Sequence, residues 1–152
     1  YHNFGKLVLL NYEKGIYLNV FDEAIAEHLN YFEVEERVFG ESLQLKIAVE
    51  LTIRFDYPSI ITEAIKGYRQ PDITKFAPEA SIIQMSDIIA TALCIGETGD
   101  YKLPALTKYV AQHFNFTADN IKLCFKESAP RLADIPQIVK ILLNYPKLEN
   151  KK

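Results

Sequence analysis

Three histidines, His2, His28 and His113, are the side chains of this 152-residue chain best suited to bind a metal or to carry a proton near neutral pH. A catalytic metal needs several imidazole or carboxylate donors brought together. His28 and His113 have no second histidine or carboxylate at metal-ligand spacing on their predicted helix faces, since Glu27 points elsewhere. We therefore expect these two histidines to be exposed or half-buried. His2 has neighbours of a different kind.

The residues around His2 form a recognisable pattern. Tyr1–Leu10 (YHNFGKLVLL) resembles the His-Asp-Ile-Gly-Lys-Leu-Val-Leu stretch of the HD superfamily, and in particular that of the HDOD domain, an HD-related output domain of bacterial signalling proteins. Three more segments are similar to HDOD segments and follow in the same order, Glu36–Gly40 (ERVFG), Arg54–Ile65 (RFDYPSIITEAI) and Ser86–Ala90 (SDIIA). The resemblance covers residues 1–95.

The resemblance implies a helical fold and a position for a metal centre. Active HD relatives hold one or two divalent metal ions through a His-Asp pair, further histidines and a final aspartate, and they hydrolyse phosphate esters. Such a metal lowers the pKa of a bound water and polarises the phosphoryl group.

Most of these ligand types are replaced here. His2 and Asp87 stand at the first and last positions, but Asn3 replaces the aspartate of the pair and offers only a neutral carbonyl oxygen. Where the next histidine is expected, the chain has Leu43 or Gln44. The resemblance therefore implies vestigial metal positions at His2, Asn3 and Asp87, with no metal, no catalytic residue and no cofactor.

The family's His-His-x-Pro segment has become Tyr68–Pro71 (YRQP). Arg69 is a permanent cation that would repel a metal ion. Tyr68 and Arg69 could instead capture an anion or another ligand in the former pocket. The alternatives are that Arg69 pairs with Asp87 or is an exposed loop residue, and that His2 and Asp87 contact each other, Asn3 or Arg69.

The leading functional hypothesis is a non-catalytic regulatory domain, a pseudoenzyme, of a bacterial signal-transduction protein that acts through protein–protein contact. The alternatives are a divergent metal-dependent phosphohydrolase of the HD superfamily and a pocket that binds a nucleotide or anion without catalysis.

We predict no nucleic-acid partner, because 17 basic residues against 20 acidic ones give a net charge of −3. The uncharged runs are too short for a membrane span. Cys94 and Cys124 lie in apolar stretches and predict buried free thiols in a reducing cytoplasm.

Residues 1–152 are expected to form a single domain that resembles the C-terminal, HD-like part of an HDOD domain and belongs to a longer chain. HDOD domains carry another helical half before the stretch matched here. Without that half, the inner faces of the first helices should be apolar and uncovered, which favours self-association.

The apolar spacing predicts an all-α bundle of seven to nine helices. Leu7–Leu10 is too short to classify by period, and 78–95 is apolar nearly all round, which predicts a central helix packed on several sides. Asn30 and Gly40 are expected to begin and end one short helix. The predicted helices are 17–29, 32–39, 43–55 after Ser42, 58–68, 78–95, 103–114, 118–127 and 135–144, with turns at 69–78 and 96–100.

Overall fold

The computed structural model describes residues 2–93, 102–114 and 117–132. These residues form eight α-helices and no strand, which confirms the all-α prediction. A 3-10 turn, Pro71–Ile73, lies between the fifth and sixth helices. The helices are α1 (Phe4–Tyr12), α2 (Lys14–Glu27), α3 (Tyr31–Phe39), α4 (Leu43–Arg54), α5 (Ser59–Gly67), α6 (Ala77–Ala92), α7 (Lys108–His113) and α8 (Ala118–Leu132).

Local capping signals define α3. The backbone N–H of Asn30 donates to the Glu33 carboxylate at 2.9 Å, which is half of a capping box. Gly40 ends the helix in the left-handed conformation, with φ of 75°, which a glycine adopts without steric cost. The predicted start and end of this helix are therefore confirmed.

An aromatic cluster forms the core between the first three helices. Tyr17 and Phe21 of α2 meet Tyr31 of α3, with ring centroids 4.8 Å and 4.5 Å from that of Tyr31. Leu9 of α1 and Val34 of α3 belong to the same buried cluster. Aromatic pairs at these distances contribute beyond the apolar area that they bury, so this cluster holds α1 and α3 against α2.

The chain divides into two compact units, residues 1–115 with α1 to α7 and residues 116–152 with α8. In the first unit, α2 contacts α1 and α3, while α4 contacts α1, α3 and α5. The next helix along, α6, packs on α5 and on the 3-10 turn. The short run at Leu7–Leu10 thus belongs to a helix, α1, that bridges the aromatic core and α4.

The first and fourth helices approach each other closely at Gly5. A Cβ atom at this position would overlap the backbone carbonyl group of Gln44. Because the obstacle is backbone, no side-chain rotation can relieve it. Gly5 therefore fixes the distance between α1 and the first turn of α4.

The prediction that α6 is central and packed on several sides is wrong. Its buried residues are the small or polar Ala80, Ser81 and Gln84, and Ile82 is 54% exposed. The small side chains form a narrow contact face toward α5 and the 3-10 turn. An apolar composition all round a helix therefore does not require that every face is covered.

The seventh helix, α7, is shorter than the predicted helix 103–114. Residues 103–107 are not helical, and Pro104 supplies no backbone N–H in this segment. The Thr107 backbone N–H and hydroxyl both donate to the Gln84 side chain, at 3.1 and 2.9 Å, and this attachment holds the chain outside a helix until Lys108.

The second unit contains α8, which begins after Thr117 as predicted and continues to Leu132, beyond the predicted end at residue 127. The Thr117 hydroxyl accepts the backbone N–H of Asn120 at 3.3 Å. Cys124 is a free thiol but is exposed, so the prediction that it is buried is wrong, because its apolar neighbours do not all face inward. Cys94, the turn at 96–100 and the helix at 135–144 lie outside the described residues.

Gly5→Ala tests the close helix contact. We expect it to lower the free energy of unfolding by about 1–3 kcal/mol, because the added Cβ has to displace the Gln44 backbone. Chemical denaturation measures the change. The matched control is Gly15→Ala in α2, where an added Cβ meets nothing within 4 Å, so helix propensity predicts no loss of stability. Equal stability of the two variants would contradict the packing described here.

Candidate functional site

Two side chains that the HDOD resemblance singled out contact each other. His2 lies just before α1, Asp87 lies on α6, and His2 Nε2 donates to Asp87 Oδ1 at 2.9 Å. Both are mostly shielded from solvent, with side chains 21% and 17% exposed. The Tyr68 ring packs beside the imidazole, with centroids 5.1 Å apart. The fold thus unites residues 85 positions apart in the sequence, whereas His28 and His113 are exposed, as predicted.

These residues do not fit a metal centre. The His2–Asp87 hydrogen bond uses one imidazole nitrogen and one carboxylate oxygen of the two ligand-type side chains. Asn3 supplies no charge, and Gln44 is buried at the start of α4. In the ranges that the structure describes, no three His, Cys, Asp or Glu side chains are grouped closely enough to hold a metal.

Arg69 pairs with a different carboxylate from the one predicted. Its Nη1 donates to Oε1 of Glu36 at 2.9 Å, and its Cζ lies 3.2 Å from the centroid of the Phe32 ring. Both partners belong to α3, so the residue after α5 is attached to α3 by a charge pair and a cation–π contact. Of the alternatives given for Arg69, the ion pair with Asp87 is therefore wrong, since the guanidinium turns toward α3.

A cavity of about 530 Å³ adjoins these groups. Tyr68, Arg69 and Asp87 all line it, so the structure places the predicted pocket residues together. The residue that the sequence did not reveal is Gln84, a buried side chain of α6. Its Nε2 donates to the backbone carbonyls of Tyr68 and Arg69, at 3.0 and 3.1 Å, and its Oε1 accepts from Thr107.

A second polar centre lies where α1, α3 and α4 meet. The Glu35 side chain of α3 is fully buried, and its carboxylate accepts the backbone N–H of Gln44 at 2.9 Å and the hydroxyl of Ser42 at 2.8 Å. The predicted cap, Ser42, makes no side-chain bond to its own helix. Glu35 therefore caps α4 from another helix, with the charge of Lys6 nearby.

Burial raises the pKa of Glu35 above its ordinary value of 4.5. The hydrogen bonds from Gln44 and Ser42 and the positive charges of Lys6 and Arg69 act in the opposite direction and do not cancel the effect of burial. A carboxyl group whose pKa is higher in the folded state binds protons more tightly there than in the unfolded chain. Its contribution to stability is thus greatest below pH 4.5 and declines as the pH rises through the folded-state pKa.

Glu35→Gln tests this linkage. A glutamine resembles the protonated acid, because its carbonyl can accept from Gln44 while its amide donates to the Ser42 hydroxyl. We expect the stability of the variant relative to the wild type to increase between pH 4 and pH 7, as measured by chemical denaturation at several pH values. Glu50→Gln removes the same charge from an exposed position of α4 and serves as the control. Parallel stability curves for wild type and Glu35→Gln would refute the assignment.

No helix within the described ranges is both long and apolar enough to cross a membrane. Comparisons with protein-family models, curated proteins and solved structures gave no match to this chain. The HDOD resemblance accordingly stays a prediction, and the function has to be inferred from the geometry around His2, Asp87 and Arg69.

Proposed function

We propose that this chain is a non-catalytic regulatory module, of the HDOD kind, in a bacterial signal-transduction protein, and that it acts in the cytoplasm by contact with a protein partner. The observation that carries the proposal is the hydrogen bond between His2 and Asp87. The two ligand-type side chains that remain are used as a structural tie between the N-terminal residues and α6.

The charges around this tie support binding rather than hydrolysis. Asn3 stands in place of a second carboxylate, and Arg69 brings a permanent positive charge to the cavity that Asp87 also lines. A divalent metal ion in this cavity would have to share it with the guanidinium, which repels it. Among the described residues, no group of three His, Cys, Asp or Glu side chains could hold the metal that would lower the pKa of a bound water.

An uncovered apolar surface on α1 supports a role in protein contact. Phe4, Leu7 and Tyr12 are 46%, 61% and 77% exposed. Phe4 also lines an apolar hollow of about 220 Å³, whose other walls include Leu51 and Phe55 of α4. Exposed apolar patches of this kind are typical of surfaces that bind another protein, and a second copy of the chain is the simplest partner.

Metal content tests the loss of catalysis. We expect near-zero metal per chain, by elemental mass spectrometry, after purification without chelators and exposure to Mn²⁺ or Fe²⁺, because His2 and Asp87 are tied to each other. Asp87→Ala should leave that content unchanged, and His113→Ala serves as an exposed histidine control. Near-stoichiometric metal that is lost in Asp87→Ala would favour the alternative, a divergent metal-dependent phosphohydrolase.

Self-association tests the apolar surface. We expect the wild-type chain to show concentration-dependent association in analytical ultracentrifugation, and Leu7→Ser to weaken it about tenfold, since burial of one leucine is worth about 1.5–3 kcal/mol. Ile82→Ser changes an equally exposed apolar residue on α6 and should have little effect. A strictly monomeric wild-type chain would exclude a second copy as the partner.

A further inference from the structure

The cavity beside Arg69 has a rigid frame. Gln84 is only 4% exposed, and its four hydrogen bonds join the backbone at Tyr68 and Arg69 to the backbone and hydroxyl of Thr107. These bonds fix the segment after α5 relative to the segment before α7. The volume of about 530 Å³ is in the range of small-molecule sites.

One wall of this cavity carries cations with unused donors. Arg69 is held in place by Phe32 and Glu36, yet Nη1 alone among its nitrogens is hydrogen-bonded to a residue of the described part. Lys66, in the last turn of α5, also lines the cavity and forms no ion pair within the described ranges. A guanidinium that is already oriented loses little entropy when it binds an oxyanion.

The acidic side chains of the lining are already engaged. Glu36 accepts from Arg69, and Asp87 accepts from His2. Each carboxylate thus has a donor at 2.9 Å, whereas the cationic donors have capacity left. The groups of this wall that can still bind a ligand are therefore positively charged hydrogen-bond donors. Such donors favour an anion.

The remaining lining is apolar. Leu45, Ile73 and Leu106 contribute aliphatic side chains from three different parts of the chain. A ligand that fills this space has an uncharged body as well as a charged group. We propose that the cavity binds a small organic anion, in which a carboxylate or phosphate group contacts Arg69 and Lys66 and a compact apolar body packs on the aliphatic side chains.

Benzoate and phenyl phosphate are the probes, because they share one apolar ring and differ in the oxyanion. Titration of the full chain, followed by protein NMR, should give saturable shifts of the Gly67 and Gln70 amide signals, which belong to the lining. Benzyl alcohol keeps the ring without the charge and should bind at least about tenfold more weakly, since a charge-assisted hydrogen bond contributes roughly 1.5–3 kcal/mol. The tighter of the two anions identifies the oxyanion.

Substitutions of the cationic wall locate the site. Arg69→Met should weaken binding of the tighter probe about tenfold or more. Lys66→Gln should weaken it about threefold, and because Lys66 is exposed, this variant keeps the test decisive if Arg69→Met fails to fold. Lys14→Gln removes the same charge from an exposed residue of α2 outside the cavity and should leave the affinity unchanged.

Three results would overturn the proposal. These are the absence of saturable shifts with either anion, benzyl alcohol binding as tightly as the anions, and equal effects of Lys66→Gln and Lys14→Gln, which would indicate nonspecific charge attraction. None of them depends on whether the chain contacts a protein through α1. The proposal about the cavity and the proposal about regulation can therefore fail separately.

Discussion

The packing of the first four helices depends on the start of α4, which is fixed from two directions. The buried Glu35 carboxylate caps the helix by accepting the Gln44 N–H, while Gly5 lies against the carbonyl group of the same residue. One residue of α4 thus meets both α1 and α3. This junction places Phe4 beside Phe55 and leaves the apolar hollow between α1 and α4.

Sequence patterns predicted the features that depend on neighbouring residues. Asn30 and Gly40 define α3 because capping is decided within a few residues of each helix end. The cap of α4 could not be predicted in this way, since Ser42 is the local candidate and its hydroxyl donates to Glu35 of the preceding helix. The pairing of Arg69 with Glu36, 33 residues away, depends likewise on how α3 and the segment after α5 meet.

In the candidate site, too, some residues could be predicted from the sequence and others depend on contacts between distant parts of the chain. The resemblance to HDOD domains singled out His2, Asp87 and Arg69, and the fold places all three near one cavity or its border. It could not reveal Gln84, because a glutamine within an apolar helix carries no sequence signal until the carbonyls it binds are known. The apolar spacing also gave a wrong prediction for α6, that it is packed on several sides. Its buried residues include the small Ala80 and the polar Gln84.

The residue types around the cavity connect the two proposals. A metal ion supplies both positive charge and an activated water, whereas the guanidinium of Arg69 supplies charge alone. A cavity with Arg69 and Lys66 on one wall, and with Asp87 tied to His2, therefore has the means to hold an anion. Arg69 also touches α3 through Glu36 and Phe32. Because Nη1 alone of the guanidinium nitrogens is used in that attachment, an anion can bind the remaining donors while Arg69 stays held on α3.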